Sequence, residues 1–158
     1  MRYIFDLDHT LIDSSHRQLT REDGSLDLTA WRKNCTRDAI ARDSLLPLAI
    51  ECRQLFAQGI EVIACTARVM GAADYDYLKV HDLNFDCILS RPQDNSTSDH
   101  LLKEFLLRQY AQDCGLSWQQ FSRRSIMLDD NENVLRHLRA LGFHCYNAVS
   151  INQSLRTA

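Results

Sequence analysis

No apolar run in this 158-residue chain approaches the ~18–20 residues that a bilayer-crossing helix needs, so membrane function is not expected. Paired cysteines are absent too. The six cysteines, Cys35, Cys52, Cys65, Cys87, Cys114 and Cys145, are scattered and never form Cys-x-x-Cys, which argues against zinc knuckles and disulfide frameworks. They read instead as reduced, small apolar residues, and a reducing, cytoplasmic setting is the expectation. Met1-Arg2 leads directly into Tyr3-Ile4, with no signal-peptide pattern. A large charge excess is also missing: a net charge of −3 argues against coating nucleic acid by bulk electrostatics, although a local basic patch remains open. There are no repeats and no low-complexity tracts. Gly-x-x-x-x-Gly-Lys-Ser/Thr does not occur, so these residues hold no phosphate-cradling kinase loop.

What is present is ordinary globular material, 45% hydrophobic and 25% charged with only two prolines, which fits one domain over residues 1–158. Tyr3-Ile4-Phe5 reads as a first strand. The polar stretch Ser14–Arg42, holding Arg17, Arg21, Trp31, Arg32, Lys33 and Arg37, has weak periodicity and reads as a small insertion or flap. Ser44 is expected to open a helix with Pro47 in its first turn and Gly59 as its stop. Further strands are expected at 60–65, 85–89, 126–128 and 145–149. Helices are expected at 72–82, 98–114 and from Asn131 to the Gly142 stop. Strands alternating with helices predict a parallel five-stranded α/β sheet covered on both faces, without a large cap domain.

The most informative stretch is Asp6-Leu7-Asp8-His9-Thr10, two acids one residue apart just beyond an apolar strand. Crowding such charges is unfavourable unless a cation or a reaction requires them. Thr66 and Arg68, Arg91, and Asp129-Asp130 follow the ends of three other strands, the edge of an open α/β sheet where ligands bind.

In this order, with Lys103 between the last two strands, the motifs resemble those of the haloacid dehalogenase superfamily of phosphohydrolases. His9 stands where that family most often has glycine. Arg91-Pro92-Gln93-Asp94 followed by Asp99-His100-Leu101-Leu102-Lys103 is similar, more narrowly, to the 3′-phosphatase domain of polynucleotide kinases. Thr66-Ala67-Arg68 is similar to the small-hydroxyl–small–Arg element of the same domains. The resemblance implies a Rossmann-like fold, Asp6 as nucleophile forming an aspartyl-phosphate, and Asp8 as general acid and base. It implies Thr66 and Lys103 on the transferring phosphoryl oxygens, with Thr10, Arg68, Arg91 and Asp99 around the substrate. Mg²⁺ suits the all-oxygen set Asp6, Asp8 through its backbone carbonyl, Asp129 and Asp130. Asp99 as a simple helix cap, and Asp130 as a simple helix-dipole partner, remain alternatives.

The reaction expected is Mg²⁺-dependent hydrolysis of a phosphomonoester. The expected substrate is the 3′-phosphate end of a DNA or RNA strand, because a short flap leaves the site open to a polymer, and Arg32, Lys33 and Arg37 offer guanidinium and ammonium groups for flanking phosphates. Trp31 is open to stacking on a base or to packing the flap. The alternatives are a nucleotidase or other small-molecule phosphatase, and a catalytically silent binding module of the same fold.

Overall fold

A computed structural model describes all 158 residues. The chain runs β1 (Arg2–Phe5), β2 (Ile12–Asp13), a 3₁₀ turn (Ser15–Arg17), α1 (Leu28–Lys33), α2 (Arg37–Ala41), β3 (Ser44–Leu45), α3 (Leu48–Ala57) and β4 (Val62–Thr66). It continues through α4 (Ala72–Val80), β5 (Cys87–Ser90), α5 (Asp99–Asp113), α6 (Trp118–Arg123), β6 (Ser125–Asp129), α7 (Glu132–Ala140), β7 (His144–Asn147) and α8 (Ala148–Thr157). Five strands form one parallel sheet in the order β5-β4-β1-β6-β7.

Side-chain alternation along these strands feeds two cores. Phe5, Val62, Ala64 and Leu128 point to one face, where Leu48, Ala49 and Cys52 of α3, Tyr77 and Leu78 of α4, and Ala148 of α8 cover them. Ile4, Ile63, Cys65 and Met127 point to the other, beneath Leu102, Leu106 and Leu107 of α5, Phe121 of α6 and Val134, Leu135 and Leu138 of α7. A sheet covered on both faces has no solvent side, which is why its strands read as unbroken apolar runs.

The expected α/β sheet with helices on both faces is present, and four expectations about its elements need correction. Ser44 does not open α3; Ser44–Leu45 pairs antiparallel with Ile12–Asp13, and the helix begins at Leu48 behind Pro47 (φ −53°). The last strand stops at Asn147, whose side chain accepts hydrogen bonds from the amides of Val149 and Ser150 and so starts α8 where continued strand was expected. Helix α6 was not anticipated; Ser117 and Gln120 close it with a reciprocal capping box. The Ser14–Arg42 segment is not wholly peripheral, since Ile40 joins the core and Arg17 is buried.

Asn152 is the polar exception within the covered face. Its buried carboxamide accepts a hydrogen bond from the Leu48 amide (2.8 Å) and donates one to the Thr10 carbonyl (3.0 Å), tying α8 to α3 and to the loop after β1. Asn152→Ala orphans both buried backbone groups, so about 2–3 kcal/mol of destabilisation is expected. For a chain of this size that lowers Tm by roughly 4–12 °C. Thermal unfolding checks it, and an unchanged Tm would show that the staple carries no weight.

Candidate active site

The strand order places β1 between β4 and β6, the point at which the connections change direction, so the carboxyl end of β1 opens onto the crevice of the sheet. Asp6 stands there. The chain then turns sharply: the amides of Thr10, Leu11 and Ile12 all donate to the Leu7 carbonyl, and the His9 amide donates to the Ile12 carbonyl. This turn holds His9 at φ 59°, a left-handed conformation that glycine adopts without steric penalty and other residues seldom do.

Lys103, from the second turn of α5, lies 2.8 Å from Asp6 Oδ1 and 2.6 Å from Asp129 Oδ2. All three are buried, and carboxylate oxygens of Asp6, Asp129 and Asp130 lie within 4.8 Å of one another. Two of these three carboxylates, Asp6 and Asp129, share the one ammonium. The consequence is visible in the acidity of Asp6 and Asp130. Burial pushes Asp6 well above the usual carboxylate range against the pull of Lys103, with Asp129, Asp130 and Asp8 adding to the rise. Burial, then Asp129, pushes Asp130 up to about 6. Burial alone would lower Lys103, but Asp6 and Asp129 hold it above the ordinary lysine range.

Asp8 has a different environment. Burial alone would raise its pKa, but the Arg68 guanidinium and the hydrogen bonds from Arg68 and Ser14 outweigh it and hold the carboxyl below its ordinary value. Arg68 Nε and Nη2 reach Oδ2 (3.1 Å) and Oδ1 (2.5 Å), and Ser14 Oγ donates to Oδ1 (2.5 Å). Arg68 is itself gripped by Asp74 (2.7 Å) and lies 3.8 Å from Asp43. Asp43, completely buried at its side chain, receives the fork of Arg17 (2.9 and 2.8 Å) and lies 2.8 Å from His16 Nε2.

The structure therefore brings Asp6, Asp129, Asp130 and Lys103 into one cluster, with Asp8 and Arg68 in an adjoining ion-pair network. Thr66 closes β4, buried, its hydroxyl accepting from the Arg68 amide at 3.0 Å and keeping its proton free to donate. The four expected substrate contacts are sealed or engaged within the protein. Thr10 is sealed from solvent, and its hydroxyl has no partner. Arg91 is a strut: its guanidinium holds the carbonyls of Ala67, Asn95 and Thr97 and the Asp99 carboxylate, because the turn 91–98 has few backbone hydrogen bonds of its own. Asp99 is the first residue of α5 rather than its cap, and it closes that pair with Arg91. The Arg68 fork faces Asp8, Asp74 and Asp43. Ser14, Asp43 and Asp74 were not singled out from sequence. Only Asp74 had a local signal, lying three residues after Gly71, where its carboxylate accepts the Gly71 amide at the start of α4.

An acidic cluster and a lysine at the switch point of a Rossmann-like sheet, with Asp-x-Asp on β1, define the class. The chain is a phosphoric monoester hydrolase of the haloacid dehalogenase superfamily. It belongs to the Bacteriophage T5 5′-deoxynucleotidase family, whose model matches residues 1–158. The 5′-deoxynucleotidase of Escherichia phage T5 is 32% identical over 171 residues, covering 96% of this chain and 68% of that protein. Among solved structures, a chain of the Pnkp1/Rnl/Hen1 complex superposes with TM-score 0.67 at 21% identity, covering 93% of this chain; this chain spans 44% of that one. A haloacid dehalogenase-like hydrolase from Streptococcus pneumoniae matches with TM-score 0.64 at 16% identity, covering 96% of this chain and 90% of its own. A family enzyme from Bacteroides thetaiotaomicron, solved with magnesium and inorganic phosphate, matches with TM-score 0.51 at 11% identity, covering 92% of each chain.

Proposed function

We propose that this chain is a Mg²⁺-dependent nucleotidase that hydrolyses deoxynucleoside 5′-monophosphates through an aspartyl-phosphate on Asp6. The kinship with the T5 5′-deoxynucleotidase across nearly the whole chain is the observation that carries the substrate class. The Asp6–Lys103–Asp129 cluster carries the reaction type.

Asp6 attacks phosphorus and expels the nucleoside 5′-alkoxide, splitting one difficult displacement into two easier ones. Asp8, ionised in the free site, takes up a proton as the anionic phosphate settles beside it, passes that proton to the alkoxide and afterwards takes one from the water that cleaves the acyl phosphate, a role worth ~10²–10⁴-fold in such reactions. Lys103 and the free hydroxyl proton of Thr66 present positive charge and a donor to the phosphoryl oxygens. The donor set fits a divalent cation: three carboxylates with a single ammonium are left negative, and oxygen donors alone suit a hard ion. Asp6, Asp129 and Asp130, with the Asp8 backbone carbonyl, would hold Mg²⁺, which supplies charge neutralisation between the carboxylates and an anionic phosphate.

The second reading, removal of 3′-phosphate from a nucleic-acid end, is supported by the fold likeness to the Pnkp1 complex. It would use Arg32 and Lys33, which stand exposed on α1, whereas Arg37 is paired to Asp76 of α4 at 2.6 Å. A turnover panel separates the two. Deoxynucleoside 5′-monophosphates are expected to exceed a 3′-phosphorylated oligonucleotide in kcat/KM by about tenfold or more, with the weak salt dependence of one phosphate. A preference for the oligonucleotide, with a steep salt slope that flattens in Arg32→Ala and Lys33→Ala variants, would establish the second reading.

A further inference from the structure

Two arms hold the Asp8 carboxylate, and both draw on the segment 14–43 outside the acidic cluster. Ser14, completely buried, donates its hydroxyl to Asp8 Oδ1 at 2.5 Å. Its oxygen in turn accepts from Gln18 Nε2 at 2.9 Å, and Gln18 Oε1 lies 2.7 Å from His9 Nε2. The serine hydroxyl is thereby fixed as a donor toward Asp8. On the other side Arg68 reaches Oδ1 through Nη2 and Oδ2 through Nε. Behind Arg68, Asp74 grips Nη1 at 2.7 Å, and the more distant Asp43 faces Nη2. Its carboxylate lies 3.8 Å from Nη2 and is anchored by the Arg17 fork, while the Arg17 guanidinium lies over the Trp31 ring at 4.4 Å.

A carboxylate offers about four lone-pair sites, two on each oxygen. Ser14 and Arg68 fill both on Oδ1, whereas Oδ2 receives only Arg68 Nε. The last torsion of an aspartate is broad and nearly two-fold, so it does not choose between its oxygens unaided. The choice has to be imposed by neighbours. We propose that Ser14 and Asp43 are positioning residues for the reaction: they lock the Asp8 carboxylate so that Oδ2 keeps the one open lone pair through which a proton passes to the leaving alkoxide and later from water. The segment 14–43 then orients the acid–base group of the site, whatever it does toward the substrate. This inference rests on the reading of Asp8 as general acid and base.

Leaving groups supply the test. A nucleoside alkoxide needs its proton and p-nitrophenolate hardly does, so a displaced Asp8 slows phosphoryl transfer to Asp6 far more with the first substrate than with the second, whereas hydrolysis of the aspartyl-phosphate, common to both, slows alike. Ser14→Ala is expected to slow the transfer step, read as the first-turnover burst of leaving-group release, about tenfold or more for a deoxynucleoside monophosphate with little change in KM, and less than about threefold for p-nitrophenyl phosphate. Ser14→Thr, which keeps the hydroxyl, restores most of the loss. In an Asp8→Asn background Ser14→Ala adds nothing, because its effect passes through Asp8. Asp43→Asn follows the same pattern in preparations whose unfolding transition matches wild type. Equal losses on both substrates, no loss, or an undiminished Ser14→Ala effect in the Asp8→Asn background overturns the proposal. Should Asp8→Asn itself slow both substrates equally in that step, the reading of Asp8 fails first and takes this inference with it.

Discussion

Asp6→Asn is expected to reduce turnover by ~10³-fold or more while leaving the protein at least as stable as wild type. The two halves of this result have one origin. The amide is nearly isosteric with the carboxylate but cannot form the aspartyl-phosphate, so the chemistry stops. Asp6 is also a group whose ionisation the fold disfavours: burial and three neighbouring carboxylates push its pKa up, and Lys103 offsets only part of that. A neutral side chain removes the repulsion, and Lys103 keeps Asp129 as a partner at 2.6 Å. Catalytic residues held in an unfavourable state are the usual place where activity and stability conflict. Phosphate release and thermal unfolding on the same preparations check both halves. A folded Asp6→Asn protein that still turns over nucleotide at more than a few per cent of wild type would exclude Asp6 as nucleophile.

Lys103→Met should behave in the opposite sense. It removes the one ammonium among three clustered carboxylates, two of them fully or nearly fully buried, and breaking a buried ion pair from one side typically costs about 3–5 kcal/mol. A fall in Tm of roughly 6–20 °C near pH 7.5 follows for a chain of this length. The loss depends on pH in a definite direction. Asp6 and Asp130 are raised in the fold, so between the ordinary carboxylate range and their folded values the native state binds more protons than the unfolded chain. Stability therefore declines as pH rises through that window, and for Asp130 the window closes at about 6. Lys103 itself stays charged throughout, since its own pKa is raised. The deficit of Lys103→Met should be largest above about pH 6 and shrink toward pH 5, and millimolar Mg²⁺ should restore part of it. A deficit indifferent to both pH and Mg²⁺ would mean that Lys103 is a packing element rather than the counter-charge of the cluster.

The sheet and the acidic cluster were legible because each depends on a local pattern. Unbroken apolar runs marked the strands, and Asp6, Thr66 and Asp129 each closed one of them. The second set of contacts around Asp8 was not legible. Ser14, Asp43 and Asp74 meet there only because β2 pairs with β3 and α2 packs beside α4, and the one local signal among them, the spacing of Asp74 from Gly71, marks a helix start rather than that meeting. A polar stretch with weak periodicity looks like a surface insertion, yet Arg17 and Ile40 from that stretch are buried. Arg91 shows the converse case. An arginine at a strand end suits phosphate, but here the loop after β5 uses its donors. Helix α8 was lost to a one-residue distinction, whether Asn147 continues a strand or caps a helix.

The position of β1 at the centre of the sheet has a consequence for the order in which the protein can be built. Its residues leave the ribosome ahead of both their partners, since one neighbour begins at Val62 and the other at Ser125, the pairings being Tyr3 with Val62 and Arg2 with Ser125. Such non-local pairing closes large loops before it gains any contact, which slows folding. During synthesis the nascent β1 carries Asp6 and Asp8 as hydrated, unshared acids, while Lys103 and Asp129 have yet to be translated. The site thus stays incomplete until β6 has been made, because its nucleophile is translated well before the Lys103 and Asp129 that surround it.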